Sequence, residues 1–159
     1  MHITMISPKQ PRKTLRTEAR KLVEACAGWN SRLAARRITQ FLDRELADSG
    51  LTAAQLGLMA QIAAADDDRL GALAQRVGLD QSTLSRTLRT LEGEGLVEIA
   101  TVESDLRRRA VWLTETGARR LEGAIPVWRR AQARLARHLS AGLARQLADQ
   151  AELLDGTGA

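Results

Sequence analysis

The chain has no tyrosine, one phenylalanine and three tryptophans in 159 residues. So few aromatics argue against a β-sandwich. Leucine and alanine supply much of the 44% hydrophobic fraction and favour interlocked helices instead. Cys26 is the single cysteine, which excludes an intrachain disulfide and a cysteine-rich metal site and makes a reducing cytoplasm the expected location. Of the two histidines, His2 falls in a terminal tail and His138 in a basic helix, so no His-based metal site or triad suggests itself. No glycine-rich phosphate loop follows a strand. Neither an enzyme nor a cofactor is expected. No run of about 18 apolar residues can span a bilayer, and the N-terminus MHITMISPKQPRKTLRTEAR lacks the apolar core of a signal peptide, so no membrane partner is expected.

Against these absences stands an excess of positive charge, 24 Lys and Arg over 19 Asp and Glu for a net +5, nearly all of it arginine. Such an excess favours an anionic partner, but a basic surface alone decides nothing, and its distribution must. Residues 1–17, with Lys9, Arg12, Lys13 and Arg16 beside Pro8 and Pro11 and little apolar periodicity, read as a flexible basic tail, either solvated or adding phosphate contacts. Residues 18–155 are long enough for one domain with a sizeable core.

From Glu18 to Leu46 the series Leu22, Cys26, Trp29, Leu33, Ile38, Phe41 and Leu42 follows a helical period and predicts one long helix. Thr52 and Gln55 form a capping-box start for a second helix carrying Leu56, Met59 and Ile62. Asp66, Asp67 and Asp68 break the chain and read as a cap for a third helix over Arg69–Val77; a bound cation is the weaker reading. Gly78 ends that helix and Asp80 caps a fourth, to about Glu92. The period then becomes two: Leu96, Val97 and Ile99, then Val111 and Leu113, predict a hairpin whose connecting loop ATVESDLRRR holds three consecutive arginines. Thr114 caps a fifth helix, and Leu143, Leu147, Ala151 and Leu154 mark a sixth. The expected class is mainly α with a small β-hairpin wing, in the order α-α-α-α-β-β-α-α.

The segment LAQRVGLDQSTLSRTLRTLEGEGLV carries the functional signal, because Gln81 to Leu91 contains no carboxylate. Leu84, Leu88 and Leu91 fall on one side of the fourth helix; Ser82, Thr83, Arg86, Arg89 and Thr90 fall on the other. Hydroxyls and guanidiniums with no acid between them suit duplex DNA. Ala74, Gly78 and Leu84 supply the small residue, the turn glycine and the apolar anchor of a helix-turn-helix. With DLRRRAVWLTETG, which carries Asp-x-Arg followed by Leu-Thr-x-x-Gly, the chain resembles the MarR family of winged helix-turn-helix regulators over roughly residues 20–155.

The resemblance implies a homodimer built on the first, fifth and sixth predicted helices (18–46 and 115–155), with a winged helix-turn-helix over 51–114. It implies a double-stranded DNA operator of pseudo-palindromic sequence and, most simply, a repressor released by a small aromatic or anionic effector. Gln81, Ser82, Thr83 and Arg86 are then expected at base edges, with Arg86 suited to guanine, and Arg89 and Thr90 at phosphates. In the wing, Asp105 would orient Arg107 into a minor groove while Arg108 and Arg109 hold phosphate. Trp29, Arg32, Arg36, Leu56 and Met59 are candidate walls of an effector crevice, although Trp29 and Met59 at helical spacing fit plain core better. A branch of the family senses hydroperoxides through a cysteine near the start of its first helix, so Cys26 makes a redox-sensing regulator an alternative. The absence of tyrosine and of a second cysteine weakens that analogy, and on a helix face shared with Leu22, Trp29 and Leu33 Cys26 reads as a buried, inert thiol. A non-specific architectural DNA-binding protein is the other alternative.

Overall fold

The computed structural model describes residues 13–102 and 105–155, without the side chains of residues 102, 105–108, 141 and 155. Among the described residues, seven α-helices and one antiparallel hairpin follow in the order α1 (Lys13–Ala25), α2 (Ala27–Leu46), α3 (Ala53–Ala63), α4 (Leu70–Val77), α5 (Gln81–Gly93), β1 (Val97–Val102), β2 (Asp105–Leu113), α6 (Glu115–Leu135) and α7 (Ala141–Asp155). This is the expected mainly helical class with a hairpin wing. The backbone divides into two units, residues 1–38 and 39–159.

The first unit holds α1 and the opening of α2. Residues 13–17, read from sequence as part of the tail, are helical and lie in α1; residues 1–12 lie outside the described residues. The predicted single helix is divided at Cys26, whose own backbone still bonds in helical register, N–H to the Leu22 carbonyl (2.9 Å) and carbonyl from the Asn30 N–H (3.0 Å). Leu22 is 66% exposed and Trp29 59% exposed. The apolar side of their amphipathic face is therefore exposed.

The second unit contains the core. Leu46, Leu51, Leu56, Leu58, Met59 and Ile62 join Leu73, Leu84, Leu88, Leu91, Leu96, Val97, Val111, Leu121 and Ala124 in one buried cluster. Leucine at three- and four-residue spacing does this because each helix offers one apolar stripe and the three-dimensional solution is to point the stripes inward. Thr52 begins α3 with a full capping box, its hydroxyl accepting from the Gln55 N–H (3.1 Å) and Gln55 Oε1 accepting from the Thr52 N–H (2.9 Å). Asp43 Oδ1 takes the next free amide, Ala53 N–H, at 2.7 Å.

The acidic run does not cap α4. Arg69 occupies the N-cap without a side-chain bond, while Asp67 accepts from the Arg69 N–H (2.9 Å) and grips its guanidinium. The reason lies in the hairpin: the Asp68 carbonyl accepts from Val111 N–H (2.9 Å) and Arg69 bridges to Ala110, so this segment is drawn along β2 before α4 can begin. Among the described residues no three metal-ligating side chains come together, and no helix is long and apolar enough to cross a membrane.

Two glycines permit the close geometry. Gly78, at φ 59°, closes α4 in the left-handed conformation and lets α5 start three residues later. Gly117 sits in the first turn of α6, where an added Cβ would lie 1.9 Å from the Leu96 carbonyl oxygen. Thr114 holds that junction, its N–H donating to Leu96 O (3.1 Å), its hydroxyl donating to Gly95 O (2.6 Å) and accepting from Gly117 N–H (2.9 Å). The Leu-Thr-x-x-Gly motif is thus a strand-to-helix clasp.

Candidate nucleic-acid interface

Helix α5 buries Leu84, Leu88 and Leu91 at 4%, 3% and 0% exposure, which fixes its rotation about its own axis. Gln81, Ser82, Arg86, Arg89 and Thr90 are consequently exposed and Thr83 half-buried, as the alternation of types along the helix requires. No ion pair among the described residues engages Arg86 or Arg89. A guanidinium held at a surface with no internal acceptor is available to an external one, bidentate where guanine O6 and N7 or a phosphate offers two.

The hydroxyls have internal partners. Thr90 Oγ1 donates to the Arg86 carbonyl (3.1 Å). At the N-cap, the Asp80 carboxylate accepts from the Ser82 hydroxyl (2.6 Å), the Thr83 hydroxyl (2.6 Å) and the Thr83 amide (2.9 Å). These bonds, the Ser82 hydroxyl's first and then those of the Thr83 hydroxyl and amide, hold the Asp80 carboxyl far below the usual carboxylate range. With its folded value below its unfolded one, the network is intact at neutral pH. It is lost only as pH falls through the depressed value. The cap itself was legible in the sequence; the capture of both hydroxyls follows the same Asp-x-Ser-Thr spacing and was not anticipated.

The hairpin is longer than expected, with register Val97↔Leu113, Glu98↔Trp112, Ile99↔Val111, Ala100↔Ala110 and Thr101↔Arg109, then an irregularity at Thr101/Val102. Arg107, Arg108 and Arg109 therefore belong to strand β2 instead of a connecting loop. β-Branched Thr101 and Val102 extend the ladder. Arg109 is exposed opposite Thr101; the side chains of Asp105, Arg107 and Arg108 lie outside the described residues. Leu79, in the turn before α5, is 41% exposed.

The other predicted positions fall in both units. Leu56 lines a cavity of about 590 Å³ between α3 and α6, together with Ala60, Ala64, Leu121, Ile125, Trp128 and Arg129. Met59 does not. At 0% exposure it is a core residue, because the face of α3 that carries it packs into the leucine cluster. Trp29, Arg32 and Arg36 are exposed residues of the first unit. Trp128 and Arg129, an aromatic and a cation at adjacent positions, were not foreseen as pocket residues. Cys26 is half-buried rather than buried, since its Leu22 and Trp29 neighbours on α1 and α2 are uncovered.

Comparison with known proteins follows the same lines. The MarR family model matches residues 49–108, from before α3 into the hairpin. The M. tuberculosis transcriptional regulator MosR, solved in complex with DNA, is 31% identical, with a TM-score of 0.75 over 84% of this chain and 99% of that one. A second MosR structure is 32% identical, with a TM-score of 0.69 over 84% and 96%. A mutant MarR of E. coli, complexed with operator DNA, shares the fold at 23% identity, with a TM-score of 0.69 over 84% and 96%. Among curated proteins no match is found. With a helix-turn-helix, a hairpin wing and an end-to-end relative above 30% identity, the chain belongs to the MarR family of winged-helix regulators.

Proposed function

We propose that the chain is a sequence-specific, double-stranded DNA-binding transcriptional regulator, a cytoplasmic homodimer that represses from a pseudo-palindromic operator and is released by a small effector. One observation carries this reading: the exposed face of α5 presents Gln81, Arg86 and Arg89 with no carboxylate from Gln81 to Leu91, on the second helix of a helix-turn-helix. The DNA complexes of MosR and MarR support it by analogy. Dimerisation is supported by the uncovered apolar residues of the terminal helices: Leu15, Leu22 and Trp29 on α1 and α2, and Leu143, Leu147, Leu153 and Leu154 on α7, whose described side chains are all exposed. A protomer leaving these in water forfeits burial worth roughly 1.5 to 3 kcal/mol for each large side chain. Light scattering is expected to report a dimer; a stable, folded monomer would contradict the proposal. Footprinting on a selected duplex should show two protected half-sites centred about 10 bp apart.

In the wing, Asp105 is proposed to orient Arg107 into a minor groove, with Arg108 and Arg109 on phosphates. Asp105→Ala is then expected to weaken operator binding and blunt preference at flanking A·T positions, although removing a negative charge should by itself tighten binding. The measurement is affinity at matched salt, because counterion release imitates a change in specificity. Tighter binding with unchanged flank preference would refute the oriented arginine.

For the effector we propose the α3–α6 cavity, whose volume of about 590 Å³ suits a small organic molecule and whose Trp128 and Arg129 suit an aromatic carboxylate. Titration with a panel of aromatic carboxylates should quench tryptophan fluorescence in the wild type. Arg129→Ala should weaken that binding by about tenfold or more, the worth of a charge-assisted hydrogen bond. Equal binding by the variant would place the effector elsewhere.

A further inference from the structure

The start of α5 has a chemical polarity different from the rest of its exposed face. One hydrogen bond to the Thr83 amide is enough to cap the helix, and serine or asparagine would make it as well as aspartate. Asp80 does more: Oδ1 also accepts the Ser82 hydroxyl and Oδ2 the Thr83 hydroxyl, each at 2.6 Å. A hydroxyl has one proton to give, and here both are given to the carboxylate. Ser82 and Thr83 therefore turn only lone pairs outward. Phosphate oxygens, guanine O6 and N7 and thymine O4 are themselves acceptors and cannot bond to such atoms. Adenine N6 and cytosine N4 carry protons and can.

We propose that Asp80 is a positioning residue that fixes Ser82 and Thr83 as hydrogen-bond acceptors, so that the start of α5 selects a base pair turning an exocyclic amino group toward it and rejects a keto group there. The inference rests on the reading of α5 as the DNA-reading helix and divides its face in two: acceptors at Ser82 and Thr83, donors at Arg86 and Arg89. A carboxylate beside a phosphate backbone opposes binding to DNA in general. The same charge, held ionised by its three donors, favours discrimination: it repels phosphate and keto oxygen while leaving the amino group as the partner that fits.

Asp80→Asn tests this directly. Asparagine keeps the capping oxygen but places an amide donor where Oδ2 stood, so the Thr83 hydroxyl accepts from it and turns its own proton outward. Full-length wild type, Asp80→Asn and Thr83→Val, each shown by thermal melting to be folded, select sites from a pool of random duplexes. The wild type is expected to enrich a half-site with one position that requires an amino-bearing base. Replacing adenine there with purine, or cytosine with 2-pyrimidinone, should weaken wild-type binding about tenfold, and the two arms show which base supplies the amino group. Asp80→Asn should relax or invert the preference at that position toward guanine or thymine, leave the other positions alone, and bind unrelated duplex more tightly. Thr83→Val should lose the preference at the same position. If both variants select the wild-type half-site unchanged, or if removing amino groups along the half-site costs nothing, the inference is overturned. A wild type that enriches no sequence would overturn the reading of α5 and this inference with it.

Discussion

Gly117→Ala is expected to destabilise the fold by about 3 kcal/mol or more, a large share of the roughly 5 to 15 kcal/mol that holds a domain together. The new Cβ would meet Leu96 O at 1.9 Å, Leu96 C at 2.8 Å and Leu96 Cα at 3.2 Å, all backbone atoms. That carbonyl cannot swing aside cheaply, because it accepts the Thr114 N–H and its own residue is 1% exposed in the core. Relief requires moving α6 away from β1, and with it the packing of Leu121 and Ala124. Urea unfolding at fixed protein concentration measures the effect. A variant within about 0.5 kcal/mol of wild type, the scale of an ordinary surface change, would show that the clasp is looser than its geometry.

Arg86→Ala carries the second large effect. Each good base contact contributes about 1 to 3 kcal/mol of discrimination, and a dimer uses two, so operator affinity should fall from roughly thirtyfold to more than ten-thousandfold. Affinity for unrelated duplex should fall much less. Arg108→Ala is expected to weaken every sequence alike, as loss of a phosphate contact does. If Arg86→Ala leaves the ratio of operator to unrelated affinity intact, base reading belongs to another residue.

Much of the fold could be read from local chemistry. Thr52 with Gln55, Gly78 and Asp80 announce helix ends because caps and left-handed turns are decided within four residues. The face of α5 was legible for the same reason: leucine at three- and four-residue spacing orients the helix, and orientation places the arginines. What failed to show in the sequence depends on contacts distant along the chain. The acidic run bonds to Arg69 and to the hairpin at Val111, so its role as a cap gave way to strand pairing. Leu56 and Met59 look alike in sequence and both join the core, yet only Leu56 also lines the α3–α6 cavity. Cys26 was expected to be buried on the strength of Leu22 and Trp29, but an apolar stripe identifies a surface to be covered without saying whether its own chain covers it. Asp80 was recognisable as a cap, whereas its hold on Ser82 and Thr83 depends on side-chain rotamers that spacing permits without dictating.

Sequence-specific recognition of duplex DNA is tested most directly by one ratio: the affinity of the wild-type protein for its selected operator divided by its affinity for a scrambled duplex of the same length and composition, both at one near-physiological salt concentration. A regulator that reads bases through Arg86 and the start of α5 should favour the operator by about a thousandfold or more. A ratio near one, with both affinities falling equally as salt rises, would mean that the basic surface holds any phosphate backbone and would contradict sequence-specific regulation.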